Sequence, residues 1–183
     1  LHDALPIFYK QFIDTMHNHG LLVIQDIVTN HMGPLAYYEQ GWTPPYNASG
    51  YTRKLVDNYN SGHGESLKAP FNNLDAFHNY GQFSNDSAPD NVLGDLSDLP
   101  DLNTEKSEVR QALIEAYQSW AGLGIDGFRI DTVKHVEQDF WNAFCPPMRT
   151  AASNAGKSNF FQFGEVWIGY HPSLKDYIDS SGS

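Results

Sequence analysis

The apolar positions of the chain change period several times, and each change marks an element. Over residues 8–19, Phe8, Phe12, Ile13 and Met16 form the i, i+4, i+8 stripe of an amphipathic helix that Gly20 ends. Leu21-Leu22-Val23-Ile24 follows as a run apolar on both faces, the pattern of a buried parallel strand, with Gln25 and Asp26 at its C-terminal end. Residues 33–98 lose this regularity and become rich in Asn, Gly, Ser, Pro and Tyr. So long a stretch without structure is uncommon in a compact domain, so it is expected to fold as an inserted subdomain or to line a site. Periodicity returns at Thr104, which reads as a helix cap with Glu105 and Glu108 in the first turn. Val109, Leu113, Ala116, Trp120 and Leu123 give that helix its stripe, and Gly122 and Gly124 end it. Residues 125–131 read as a second strand. Val136, Phe140 and Phe144 mark a third helix, expected to break at Pro146-Pro147, and residues 160–164 a third strand running into Glu165.

This order of helix, strand, insertion, helix, strand, helix, strand is α/β with parallel strands, which an open sheet and a barrel both satisfy. Each strand ends in an acid, Asp26, Asp131 or Glu165, and that favours a barrel, because in (β/α)8 enzymes catalytic groups project from the C-terminal ends of several strands. Three strands cannot close a barrel of about 250 residues, so the 183 residues are expected to be its middle third to half.

Composition narrows the partners. At 40% hydrophobic and 18% charged residues the chain can bury a core and is not disordered. A net charge of -11 repels phosphate backbones and anionic lipid, so nucleic acid is not an expected partner. No apolar run approaches the roughly 20 residues of a bilayer helix, so no membrane is expected either. Cys145 is alone, which excludes an internal disulfide and a cysteine metal cluster. Residues 1–7, with Pro6, read as a leader or cloning scar, and the small polar residues at the far end read as a cut.

Arg129 and Asp131 stand two apart on one strand and therefore share a face. A guanidinium so placed keeps a carboxylate ionised, as a nucleophile requires. Glu165, beside Val166 and Trp167, is expected in a more apolar setting that suits a general acid. Two carboxyls in such unlike surroundings are the arrangement of glycoside hydrolysis. The alternative is that each acid caps a strand or forms a structural ion pair.

Four segments together carry a resemblance: Asp26-Ile-Val-Thr-Asn-His31, Leu99-Pro-Asp-Leu-Asn103, Gly127-Phe-Arg-Ile-Asp-Thr-Val-Lys-His135 and Gly164-Glu-Val-Trp167. In this order they resemble the signature regions of the alpha-amylase family of glycoside hydrolases, family 13, over roughly residues 8–179. The resemblance implies a (β/α)8 barrel represented by its third to fifth strands, with barrel parts at 8–32 and 99–183 and an inserted domain B at 33–98. It implies Asp131 as nucleophile, Glu165 as general acid and base, and Arg129 as the group that orients the nucleophile. His31 would hydrogen-bond the sugar, Lys134 and His135 would line the leaving-group side, and Trp167 would stack on sugar or belong to the core. Asp26 would be a buried acid supporting Arg129. A calcium ion is also implied, held by the side chains of Asn30 and Asp101, the carbonyl of His135 and a further ligand from residues 90–95.

The implied activity is cleavage of internal α-1,4 bonds in starch-like glucans by a monomeric, extracellular enzyme. A transglycosylase such as a cyclodextrin glucanotransferase and a non-catalytic glycan-binding relative are the alternatives. The family's third acid and first two strands have no counterpart in the chain, so the chain alone is expected to be inactive. Other signals point elsewhere only weakly. His17 and His19 sit at a helix end, where imidazole suits the helix dipole better than zinc. Tyr46, Tyr51, Tyr59, Tyr80, His63 and His78 read as core of the insertion or as sugar-stacking faces. Gly62-x-Gly64 reads as a turn, and Cys145 has no base beside it.

Overall fold

The structure, a computed structural model, describes residues 4–33, 35–56 and 67–167. Its elements in chain order are α1 (Ala4–Asn18), β1 (Ile24–Val28), β2 (Ala36–Tyr38), β3 (Arg53–Leu55), α2 (Asp90–Leu93), α3 (Ser107–Ala121), β4 (Gly127–Asp131), α4 (Gln138–Asn154) and β5 (Phe161–Gly164), with 3₁₀ turns at Leu74–Ala76 and Val133–His135. The chain divides into two compact units. One holds the described residues of Leu1–Ile27, Leu113–Asp131 and Gln138–Ser183; the other is Val28–Ala112 with Thr132–Glu137.

In the first unit the strands run side by side in the order β1-β4-β5, and β4 and β5 are parallel, with Gly127 opposite Phe161 and Ile130 opposite Gly164. This is the expected α/β arrangement of a partial barrel. Helices cover one face. Phe128 meets Tyr117 of α3, Tyr117 meets Phe144 of α4, and Tyr9 of α1 meets Trp120 of α3, all edge-on at 5.3–5.9 Å. The other face carries Ile24 and Asp26, Gly127, Arg129 and Asp131, and Phe161 and Phe163.

Several elements depart from their expected bounds. The first strand is Ile24–Val28, not the apolar run before it, and Leu21 and Leu22 are exposed while Val23 and Ile27 are buried. Alternation turns only every second side chain toward the helices, so a run apolar on both faces does not mean burial on both. Asp26 consequently lies within β1 and not at its end. Helix α1 begins at Ala4 and takes in most of the segment read as a leader; Pro6 sits in its first turn, where a missing N–H costs nothing. On that helix Ile13 is buried but Phe8 and Phe12 face outward.

Helix α4 runs straight through Pro146 and Pro147. Phe140, Phe144, Met148 and Ala152 are all buried at four-residue spacing, so one apolar stripe spans the prolines, and its burial outweighs the two lost hydrogen bonds. Thr104 does not cap α3, which starts at Ser107; its hydroxyl donates instead to Glu137 Oε2 at 2.6 Å.

The second unit contains residues 33–98 and the short stretches around them. The antiparallel pair of β2 and β3 sets Tyr38 opposite Arg53. The buried guanidinium of Arg53 lies 4.8 Å from the centre of the Tyr38 ring and pairs at 2.9 Å with the buried Asp95. Leu35, Ala36, Ala76, Phe77 and Leu102 complete this small core.

Candidate active site and cation site

The first unit gathers the three residues expected to be catalytic, Arg129, Asp131 and Glu165, together with the expected supporting acid Asp26. Alternation along β4 places Arg129 and Asp131 on the face away from the helices. The parallel ladder then brings up Glu165, whose N–H donates to the Ile130 carbonyl at 2.7 Å. Arg129 Nη1 donates to Asp26 Oδ1 and to Asp131 Oδ1, each at 2.9 Å, and Nη2 lies 2.8 Å from Glu165 Oε2. Three carboxylates so close would repel one another; one planar guanidinium with donors in a fixed fork offsets that repulsion and sets their directions. Asp26 above all, with Asp131 and Glu165, raises the Arg129 pKa beyond its ordinary value.

Two expectations change here. Asp26 supports Arg129 as expected, but its side chain is 65% exposed, because β1 presents that position to the uncovered face of the sheet. Glu165 is held by Arg129 with its side chain 32% exposed, not the apolar setting expected of it, and Trp167 is 83% exposed among the described residues. Directly after Asp131 the chain turns through Thr132 at φ 50°, a left-handed conformation costly for a β-branched residue, and so enters the turn at Val133–His135.

The second unit brings together Asn30, Asp101 and His135. Asn30 Nδ2 donates to Asp101 Oδ1, and also to the His135 carbonyl at 3.1 Å. All three residues are buried. Among the described residues no cluster of three or more His, Cys, Asp or Glu side chains is placed to hold a metal. The set here is of another kind, one carboxylate, one amide and one backbone carbonyl, which is the oxygen chemistry calcium takes. Turning the Asn30 amide over would present its oxygen beside the other two.

Of the stretch 90–95, Asp90 is consumed by Ser84 and Asn85, and Asp95 by Arg53. Asn91 remains. Its Oδ1 is buried and accepts no hydrogen bond among the described residues, while its carbonyl accepts from His135 Nδ1 at 2.6 Å. The His135 ring is thus enclosed, against Phe83 at 5.1 Å, so of the two roles expected for His135 the geometry favours the carbonyl's. His31 Nδ1 donates to Asn30 Oδ1 at 3.1 Å, and Lys134 Nζ pairs with Asp86 at 2.7 Å.

Asp101 has a further partner that sequence reasoning did not assign. His78 Nδ1 lies 2.5 Å from Asp101 Oδ2 and Nε2 2.6 Å from Glu105 Oε2. Burial opposes the imidazolium, but bonds to Asp101 and Glu105 outweigh it and push His78 up to about 9. Burial also drives the Asp101 carboxyl upward, against His78. His17, expected at a helix end, meets Asp126 at 2.7 Å, and Lys157 joins them at 2.8 Å from Asp126.

Residues 8–181 match the family described as alpha amylase, catalytic domain. The chain belongs to that family. Among curated relatives of this amylase-family chain is an alpha-amylase of Streptomyces lividans, 32% identical over 86% of the chain and 20% of that protein. A cyclomaltodextrin glucanotransferase of Bacillus sp. (strain 38-2) is 30% identical over 95% of the chain and 22% of its own length. The amylase-family chain thus spans about a fifth of these relatives. The crystal structure of an alpha-amylase from Geobacillus thermoleovorans, complexed with acarbose, superposes with a TM-score of 0.61 at 29% identity, covering 87% of the chain and 28% of that protein. The (β/α)8 fold of the family accounts for the parallel strands, their helix-covered face and the place of Asp131 and Glu165 at strand ends.

Proposed function

We propose that the chain is the part of a retaining α-glucan hydrolase that carries its nucleophile and its general acid. The observation that supports this most is the single Arg129 guanidinium shared by Asp26, Asp131 and Glu165 at 2.8–2.9 Å in a member of the alpha-amylase family. Asp131 would attack the anomeric carbon while Glu165 gives its proton to the departing glycosidic oxygen, leaving a glycosyl-enzyme ester. Water would then attack that carbon, Glu165 would take the proton, and the Asp131 carboxylate would be released. Arg129 aims Asp131 through the hydrogen bond from its Nη1. His31 and Lys134 would contact sugar through their side chains, and Trp167 offers an exposed ring for stacking.

Asn30, Asp101 and the His135 carbonyl would hold calcium, with Asn91 as the further oxygen from 90–95. A bound calcium ion would supply a fixed charge that locks these segments together. No helix among the described residues is long and apolar enough to cross a membrane, and the reading includes a secreted monomer.

The deciding experiment uses the full-length protein on soluble starch, with Asp131→Asn and Glu165→Gln as controls. Reducing ends that rise and vanish in both variants are the expected result. Cyclic products with few reducing ends would favour the transglycosylase reading, which the identity to a cyclomaltodextrin glucanotransferase over 95% of the chain keeps open. Unchanged starch would leave a glycan-binding scaffold.

A further inference from the structure

Asp101 is a carboxylate whose every polar atom has a separate, directional partner. Its N–H donates to Asp95 Oδ1 at 2.9 Å, and Asp95 is itself fixed by the buried Arg53. Its carbonyl accepts the His78 N–H at 3.1 Å. Of its side-chain oxygens, Oδ2 is taken by His78 Nδ1 at 2.5 Å and Oδ1 faces Asn30. The His78 ring cannot swing away, because Glu105 grips its far nitrogen at 2.6 Å and its side chain is only 6% exposed.

We infer that His78 is a positioning residue for the cation site: by occupying Asp101 Oδ2 it fixes Oδ1 as the oxygen that Asn30, and the cation, meet. This rests on the calcium reading proposed above. The physical reason is that a carboxylate turns about its last bond at little cost, and a buried one presented to a cation in the wrong rotation loses a ligand. Residues that hydrogen-bond a metal's ligands keep that rotation fixed, and their loss commonly weakens binding about 10- to 100-fold. Glu105, His78 and Asp101 form such a chain from the surface inward, and Arg53 with Asp95 holds the backbone end of the same residue.

The two ring nitrogens allow a discriminating test in the full-length protein. His78→Asn places an amide nitrogen near the Nδ1 position and so keeps a donor for Asp101 while losing Glu105. His78→Gln places it near Nε2 and does the reverse. Calcium binding is measured by titration calorimetry, and the melting temperature in chelator reports the fold of each variant separately. The expected result is calcium affinity near the parent's in His78→Asn and about 10- to 100-fold weaker in His78→Gln. Equal affinity in both, whether retained or lost, would overturn the inference, since packing alone would then account for His78. An unsubstituted protein that binds no calcium would instead remove the calcium reading and this one with it.

Discussion

Arg129 is the residue on which three strands' chemistry converges, and its shape matters as much as its charge. Nη1 serves Asp26 and Asp131 and Nη2 serves Glu165, a division that a lysine ammonium cannot reproduce from one point. Arg129→Lys in the full-length protein is therefore expected to lower kcat/KM by about 10²–10³ with the melting temperature little changed. Steady-state kinetics on starch against thermal unfolding separates the two effects. Asp126 carries the pH prediction. Burial alone would raise its carboxyl, but Lys157, the Val23 N–H and His17 outweigh this and hold it below the ordinary carboxylate range. A native carboxyl that ionises below the unfolded one contributes fully above about pH 4 and loses that contribution as pH falls through its native value. Asp126→Asn is expected to cost about 1–3 kcal/mol at pH 7, with the gap to the parent closing below about pH 4. Melting curves from pH 3 to 7 measure it. At this scale the pair Arg129 and Asp131 was legible from a two-residue spacing. The meeting with Asp26 and Glu165 depends on strand pairing, and His78 on a contact across 23 residues, so local pattern could not show either contact.

At the scale of elements, apolar period revealed three strands and three helices, and what it misjudged were places where packing overrides local preference. Pro146 and Pro147 carry a strong breaking signal, yet buried side chains on both sides of them hold α4 together. The helix therefore tolerates them at a cost, and Pro147→Ala, which restores a donor for the Ala143 carbonyl, is expected to add about 1–2 kcal/mol once the freer unfolded chain is allowed for. A drop in stability on chemical denaturation would show that the prolines shape the helix usefully. Gly127 presents the reverse case. It opens β4 where the strand lies against β5, and an added Cβ would collide with the Phe161 carbonyl oxygen, a backbone atom that cannot step aside. Gly127→Ala is expected to cost about 1–3 kcal/mol and to loosen the Arg129 cluster built on the same strand; thermal unfolding and kcat/KM should fall together. The motif was read for its Arg and Asp, but its glycine is what allows β5 to bring Glu165 alongside them.

For the molecule as a whole, an exposed apolar face and an acidic net charge act against each other. The sheet face that carries Asp26, Arg129 and Asp131 also exposes Ile24, Phe161 and Phe163, and Phe161 and Phe163 stack on each other at 5.4 Å. In the barrels of this family that face looks inward and is filled by layers of side chains from all eight strands. The 183-residue chain presents it uncovered among the described residues, which favours association between copies. Against this stands the net charge of -11, which keeps copies apart where charges are unscreened. At about 0.01 M ionic strength repulsion reaches about 30 Å and at 1 M only about 3 Å, so salt should decide between the two. The 183-residue chain is therefore expected to run as a monomer in light scattering at low salt and to associate as sodium chloride rises. Phe161→Lys should suppress that association, because it places a charge in the middle of the apolar face, whereas Phe8→Lys on the outward side of α1 should suppress it less. Association that weakens with salt would assign it to charge pairing, and equal effects of the two substitutions would show that apolar exposure in general, not the barrel-inner face, drives it.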